Sequence, residues 1–268
     1  MDQIQGSRRG MCSIKLEGAP NFRDLGGHLT KDGRQVAFGR VYRSGGFENA
    51  TASDLATIKG LNIRFICDLR NLAERTHSLR RWPAGPAPAL YNMDVNTEAL
   101  LKHEVFADIL SSEPTPSGAH KAMRKSYAAL PNGFAPHLRT FFAHMANREN
   151  LPAVIHCHSG KDRTGFLSAV LLSALDVPVD SIYEDYRRTA QMQNVEATID
   201  HFLQNFGQHI NQSLDRRVAM AVADAHPDYL AAAFKAVAAD YGSMENYLEK
   251  VGGLDVPARM RLHQALLD

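Results

Sequence analysis

The chain is short of the residues that staple or anchor a fold. It has three cysteines, Cys12, Cys67 and Cys157, among 268 residues. Three thiols make no disulfide framework, and a reducing compartment is the default for such a chain. No uninterrupted apolar run approaches the roughly 20 residues that a membrane-crossing helix needs, so no transmembrane segment is expected. Neither sign of charge dominates. Lys and Arg total 30 against 29 Asp and Glu, a net charge of +1. Nothing in that balance points to nucleic acid or another bulk polyanion as partner. Residues Met1–Gly10 are polar and basic and lack the apolar stretch of a secretory signal. A cytoplasmic location is therefore the expectation, with an export route that uses no such signal left open. Repeats, low-complexity tracts and domain-splitting linkers are also missing. What remains is 44% hydrophobic, ample for a large core. The expected organisation is a disordered tail over 1–13 and a single domain over 14–268.

Against that background one stretch stands out: His156-Cys157-His158-Ser159-Gly160-Lys161-Asp162-Arg163-Thr164-Gly165. Pro152-Ala153-Val154-Ile155 before it reads as a buried strand, and Phe166-Leu167-Ser168-Ala169-Val170-Leu171-Leu172 after it as a buried helix. The stretch is then a strand-to-helix turn. A helix N-terminus at such a turn offers unpaired N–H groups and positive dipole to an anion. Five residues separate Cys157 from Arg163, and Gly160 lets the backbone curl between them. A loop curled this way aims N–H groups inward as an anion nest. A thiol, a guanidinium and a ring of donors amount to a phosphate site with a nucleophile at its floor.

Other readings of the loop fail on spacing. A nucleotide-binding loop of the Walker A type needs Gly where Ile155 stands and Ser or Thr where Asp162 stands. His156, Cys157 and His158 are consecutive, so they leave a strand toward alternate sides and do not converge on one metal. A structural cysteine has no need of Lys, Asp and Arg beside it.

The stretch resembles the Cys-x5-Arg phosphate loop of protein tyrosine phosphatases. Its Gly-Lys-Asp-Arg-Thr-Gly ending is similar to an atypical bacterial branch, with members acting on phosphotyrosine, phosphoserine, phosphothreonine and phosphoinositides. Weaker landmarks extend the resemblance over roughly residues 16 to 267: Asn21-Phe22-Arg23-Asp24-Leu25-Gly26-Gly27, Tyr42-Arg43-Ser44-Gly45, Cys67-Asp68-Leu69-Arg70 and Tyr241-Gly242-Ser243. The resemblance implies an α/β fold, with a central, mostly parallel sheet, helices on both faces and extra helices after the loop. It implies a phosphoprotein or phosphoinositide substrate and a role for His156 in bracing the loop. In relatives the extra helices can form a lid.

The residues themselves suggest the roles. Cys157, as thiolate, attacks phosphorus and forms a cysteinyl-phosphate. Arg163 grips two phosphoryl oxygens with its planar fork. His158, Ser159, Gly160 and Lys161 line the substrate cradle, and loop N–H groups hold the developing charge. Thr164 donates to the departing sulfur or caps the helix. No metal or other cofactor is expected, because Arg163 and the N–H groups meet the phosphoryl charge. The leaving alcohol needs a proton, which many tyrosine phosphatases supply from a Trp-Pro-Asp loop. Here Trp82-Pro83 is followed by Ala84, so Asp162 is the favoured acid and Asp68 the runner-up. The competing function is a catalytically idle phosphate-binding module.

Several flanking expectations bear on the site. Arg23 and Asp24 read as an ion pair holding a turn, Asp68 and Arg70 as a local pair or a crevice rim, and Arg43 as a brace of the core or of the phosphate site. Lys161 reads as a rim cation for the extra phosphates of inositol lipids, or else as a group that tunes Cys157 or pairs with Asp162. Cys67 reads first as a buried inert thiol, and second as an oxidation partner of Cys157, which requires their Cα atoms to lie within about 7 Å. Residues 97–131 read as a helical insertion broken at 113–118, with a separate helix from Pro136 to Asn147. The helices up to about Ala225 read as packing over the sheet.

Overall fold

The structure is a computed structural model that describes residues 14–77, 80–95, 103–192 and 213–268, and, between the last two, residues 196, 199, 200 and 202–204. The expected tail over 1–13, with Cys12, lies outside the described residues, as does much of the segment before Ala225.

The sheet is built from short runs, wholly buried in the three central strands and exposed along the Ala89–Asn92 edge. Strand β1 is Arg23–Asp24, β2 Val41–Ser44, β3 Phe65–Asp68, β4 Ala89–Asn92 and β5 Ala153–His156. Their order across the sheet is β1-β2-β5-β3-β4, with β1 antiparallel to β2 and the rest parallel. Side chains alternate faces along a strand. Phe65, Cys67, Ile155 and, beyond the strand, Cys157 face one core, while Ile66 and Val154 face another. His156 and Cys157 therefore leave β5 on opposite sides, as the case against a metal site required.

Helices cover both faces, as a sheet buried on two sides demands. Helix α1 (Ala52–Gly60) lies under the second face, where its Ile58 joins Phe22, Tyr42 and Phe47. Thr51 caps it and Asp54 completes a capping box. Helix α2 (Leu72–His77) follows β3, and α3 (His103–Ser112) precedes α4 (Pro116–Ala146). Helix α5 (Asp162–Ala174) leaves the loop and is buried from Arg163 to Leu172. Then come α6 (Val179–Met192), α7 (Arg216–Ala223), α8 (Pro227–Tyr241), a short helical stretch over 244–251, and α9 (Val256–Leu266).

Two expectations are corrected here. The helices read as separate before and after Pro131 and Pro136 are one, α4, with both prolines inside it. A proline inside a helix costs about 3 kcal/mol. Here α8 and α9 pack along α4, burying Leu130, Phe134, Leu138, Phe141 and Phe142. At about 1.5–3 kcal/mol per buried large apolar side chain, that outweighs both penalties. Helix α7 packs against α4, with Val218 and Ala221 beside Leu110, Ala119 and Ala122. It thus rests on a helix layer and does not lie over the sheet.

Candidate active site

The loop leaves β5 at the C-terminal ends of the parallel strands, where open α/β sheets place their ligands. Four outward bonds set its shape. The Cys157 carbonyl lies 3.2 Å from His156 Nδ1, and the His158 carbonyl accepts from Gly46 N–H at 2.7 Å. The Ser159 carbonyl accepts from Asn21 Nδ2 at 3.3 Å, and the Gly160 carbonyl from Arg43 Nη2 at 2.9 Å. In a trans peptide the C=O and the following N–H point in opposite directions. Pinning these carbonyls outward turns the N–H groups of residues 158–161 inward. Gly160 has φ +73°, and a Cβ there would lie 2.6 Å from Gly45 N and 2.7 Å from Ser44 O. Only glycine fits that closure.

Cys157 sits at the floor, 2% exposed. Its Sγ accepts from Gly160 N–H at 3.3 Å and from Thr164 Oγ1 at 3.1 Å. Thr164 thus reaches the sulfur, while the residue in the capping position of α5 is Lys161, without a side-chain cap.

Behind the loop lies a buried ionic cluster. Asp185 on α6 accepts from Arg23 Nε at 2.9 Å and from Arg43 Nη1 at 2.6 Å. Burial raises the Asp185 carboxyl, but the two arginines pull it far below the ordinary range. Burial and the nearby Arg43 charge lower Arg23 to about 10. Arg23 therefore pairs with Asp185 and not with Asp24, whose carboxylate accepts Gly26 and Gly39 N–H instead. Arg43 serves both roles left open for it: one nitrogen holds Asp185 and the other the loop.

Arg163 has a partner that the sequence reading missed. Glu74 on α2 takes Nη1 and Nη2, each at 2.6 Å, and Nη1 also donates to Leu69 O at 3.3 Å. A guanidinium has five N–H groups. These bonds use three, and the Nε–H and the second Nη2–H, on one edge, remain for a ligand. Burial lowers the Arg163 guanidinium, but the Glu74 bonds and the nearby Cys157 raise it overall. Burial raises Glu74 in turn, and Arg163 draws it below its usual value. The available signal was Asn71-x-x-Glu74, a capping box at the start of α2. Glu74 N–H donates to Asn71 Oδ1 and Asn71 N–H to Glu74 Oε2, both at 2.8 Å.

The two candidate acids lie in different surroundings. Asp162, at the first turn of α5, has a side chain 37% exposed. Its Oδ1 accepts from Tyr127 Oη at 2.7 Å and lies 3.3 Å from Lys161 Nζ. Asp68 is wholly buried. Arg70 clamps it through Nε at 3.0 Å and Nη2 at 2.8 Å, and His156 Nε2 lies 3.5 Å away. Burial raises the Asp68 carboxyl, and Arg70 and His156 bring it below its usual value. The local pair read from sequence is what forms. His156 itself is drawn down to about 4 by burial.

Of the remaining cradle residues, Ser159 and Gly160 belong to the curled backbone. His158 is half exposed, its Nδ1 3.4 Å from Glu48 Oε1. Lys161 is 4% exposed. Its ammonium donates to the Val222 carbonyl and, at 3.1 Å, to the Asp224 carbonyl, at the C-terminal end of α7. It is not a rim cation here. Cys67 is a buried free thiol, the first of its two readings. It stands opposite Ile155 across the ladder, so Cys157 lies two residues, about 6–7 Å, further along as well as one strand over. That diagonal exceeds the reach of a disulfide, and burial pushes the Cys67 thiol far up.

The model of the tyrosine phosphatase family matches residues 14–268. A protein of Cupriavidus necator whose name assigns it to the tyrosine-protein phosphatases is 28% identical over 270 residues, covering 96% of this chain and 90% of that protein. The triple specificity protein phosphatase PtpB of Mycobacterium tuberculosis is 29% identical over 269 residues, covering 90% and 95%. A tyrosine-protein phosphatase of Nostoc commune is 27% identical over 127 residues, covering 44% and 40%.

Proposed function

The chain belongs to the tyrosine phosphatase family and is a phosphatase, and from that premise we propose a metal-independent phosphomonoester hydrolase that acts on phosphotyrosine through a cysteinyl-phosphate. Residues 14–268 form its single phosphatase domain, in keeping with the large core that draws on most of that span. The sulfur carries the reading. Cys157 Sγ lies at the floor of a nest of N–H groups and accepts from Gly160 and Thr164.

The Cys157 thiolate attacks phosphorus opposite the ester oxygen. As the P–S bond forms, the P–O bond breaks and its electron pair leaves with the alcohol oxygen. Asp162 gives that oxygen a proton, since its side chain is 37% exposed whereas Asp68 is buried and clamped by Arg70. The free edge of Arg163 and the inward N–H groups hold the phosphoryl oxygens throughout. Water then attacks phosphorus and gives a proton to Asp162. The P–S bond breaks, and the Thr164 hydroxyl stabilises the returning sulfur anion. Charge is met without a metal ion. The relative described as a triple specificity phosphatase supports a range wider than phosphotyrosine. An inositol lipid would have to be met by groups other than Lys161, whose ammonium is engaged by carbonyls.

Turnover of para-nitrophenyl phosphate in EDTA is the direct test. Wild type should turn over unchanged, and Cys157→Ser should be inactive while still binding inorganic phosphate. Loss of activity in EDTA refutes metal independence, and activity in Cys157→Ser refutes the covalent route. An inert wild type would favour the idle phosphate-binding module.

A further inference from the structure

Two tyrosines outside the loop converge on Asp162. Tyr127 comes from α4 and is 1% exposed, and Tyr186 comes from α6 and is also 1% exposed. Their hydroxyls are 2.6 Å apart, and Tyr127 Oη donates to Asp162 Oδ1 at 2.7 Å. Each phenol has one proton. Tyr127 spends its proton on Asp162, so Tyr186 must be the donor between the two. The chain runs Tyr186 O–H to Tyr127 O–H to Oδ1, and every donor points at the carboxylate. Burial, followed by the Asp162 charge, raises the Tyr127 phenol well above its ordinary value, so it stays a donor.

The loop is shaped to admit this chain. Gly165 closes the motif, and a Cβ there would lie 3.1 Å from two carbons of the Tyr186 ring. That is tighter than an ordinary contact, so a side chain at 165 would crowd the second tyrosine away. Gly165 therefore has a reason independent of the backbone curl.

We propose that Tyr127, backed by Tyr186, is a positioning residue that reserves Asp162 Oδ2 for the proton passed to the leaving group. Oδ1 faces the Tyr127 hydroxyl and the Lys161 ammonium, both donors, and a proton on Oδ1 would point at them. Among the described residues Oδ2 has no protein partner. The acid proton is thus confined to the oxygen a leaving group can reach, and the carboxyl is fixed in one rotamer. The inference rests on Asp162 being the acid.

The test compares phenyl phosphate, a poor leaving group, with 2,4-dinitrophenyl phosphate, which departs without a proton. Asp162→Asn should slow phenyl phosphate by about 100-fold and the dinitrophenyl ester far less. Tyr127→Phe keeps the ring and removes one hydroxyl. It should slow phenyl phosphate by about 10-fold and the dinitrophenyl ester by under about 2-fold, the loss expected for one hydrogen bond. In the Asp162→Asn background Tyr127→Phe should add no further selective loss. Equal slowing of both esters, or a selective loss that persists without the Asp162 carboxyl, overturns the proposal. If Tyr127→Phe fails to fold, Tyr186→Phe decides: a smaller selective loss supports the chain, and none overturns it. If Asp162→Asn shows no leaving-group selectivity, Asp162 is not the acid. That failure is read from the Asp162→Asn arm alone, before any tyrosine variant, and it removes the inference together with its premise.

Discussion

Replacing Glu74 with Gln asks whether the aim of Arg163 matters to catalysis. The carboxylate presents two acceptors to Nη1 and Nη2, each at 2.6 Å. A carboxamide of the same size presents one acceptor and an NH2 group, which opposes a guanidinium N–H. At least one charge-assisted bond is lost, worth about 1.5–3 kcal/mol. Arg163 can recover part of that by rotating, and the rotation moves the Nε/Nη2 edge proposed to grip phosphate. A displacement of about 1 Å at a reacting centre costs on the order of 100-fold. Two features moderate the loss. Nη1 keeps its bond to Leu69 O, and the Glu74 side chain is 27% exposed, so water screens the change. The expected fall in kcat on para-nitrophenyl phosphate is about 10- to 100-fold, about 1.4–2.7 kcal/mol. Steady-state kinetics on wild type, Glu74→Gln, Arg163→Lys and the double variant would measure it. Lysine has no fork to aim, so Glu74→Gln should cost under about 3-fold more in the Arg163→Lys background. A wild-type kcat for Glu74→Gln, or full additivity in the double variant, would refute the reasoning.

Lys161→Met should release the end of α7. The Val222 and Asp224 carbonyls lose an ammonium donor, costing about 1–3 kcal/mol of stability, and amide exchange over 216–225 should quicken. Unchanged exchange there would show that the contact holds nothing. Acid should destabilise the fold through His156. Its proton is taken up near pH 6.5 in the unfolded chain but only near 4 in the folded one. The unfolded state therefore binds more protons across that window, and stability falls with pH by up to about 3 kcal/mol. Urea midpoints at pH 7 and 4.5 should show a shallower decline in His156→Asn, and parallel declines would contradict the assignment.

Much of the site was legible because loop chemistry is local. Cys157, Gly160, Arg163 and Thr164 lie within eight consecutive residues, and the apolar runs on either side name the strand and the helix. Glu74 was missed because its pairing with Arg163 joins residues 89 positions apart. Its local pattern with Asn71 reads as an ordinary helix start. Asp185 was missed similarly: on a charged helix it looks like a solvated carboxylate. Tyr127 and Tyr186 stand 59 positions apart on two helices, and no local pattern relates them.

The sequence by itself determined the strand-to-helix turn, the glycine that curls it, the apolar strand and helix on either side, and the placing of Cys157 and Arg163 in one loop. These follow from backbone preferences, side-chain alternation and spacing, which act between near neighbours in the chain. Tertiary structure alone decided where the charged groups spend their bonds. Lys161 caps α7 rather than greeting substrate, Arg23 reaches Asp185 rather than Asp24, and Asp68 is sealed by Arg70 while the Asp162 side chain stays partly exposed. Proline did not break α4, because burial along that helix outweighs a local penalty. A buried charge takes the partner that packing brings within about 3 Å, and packing joins segments that no local pattern relates.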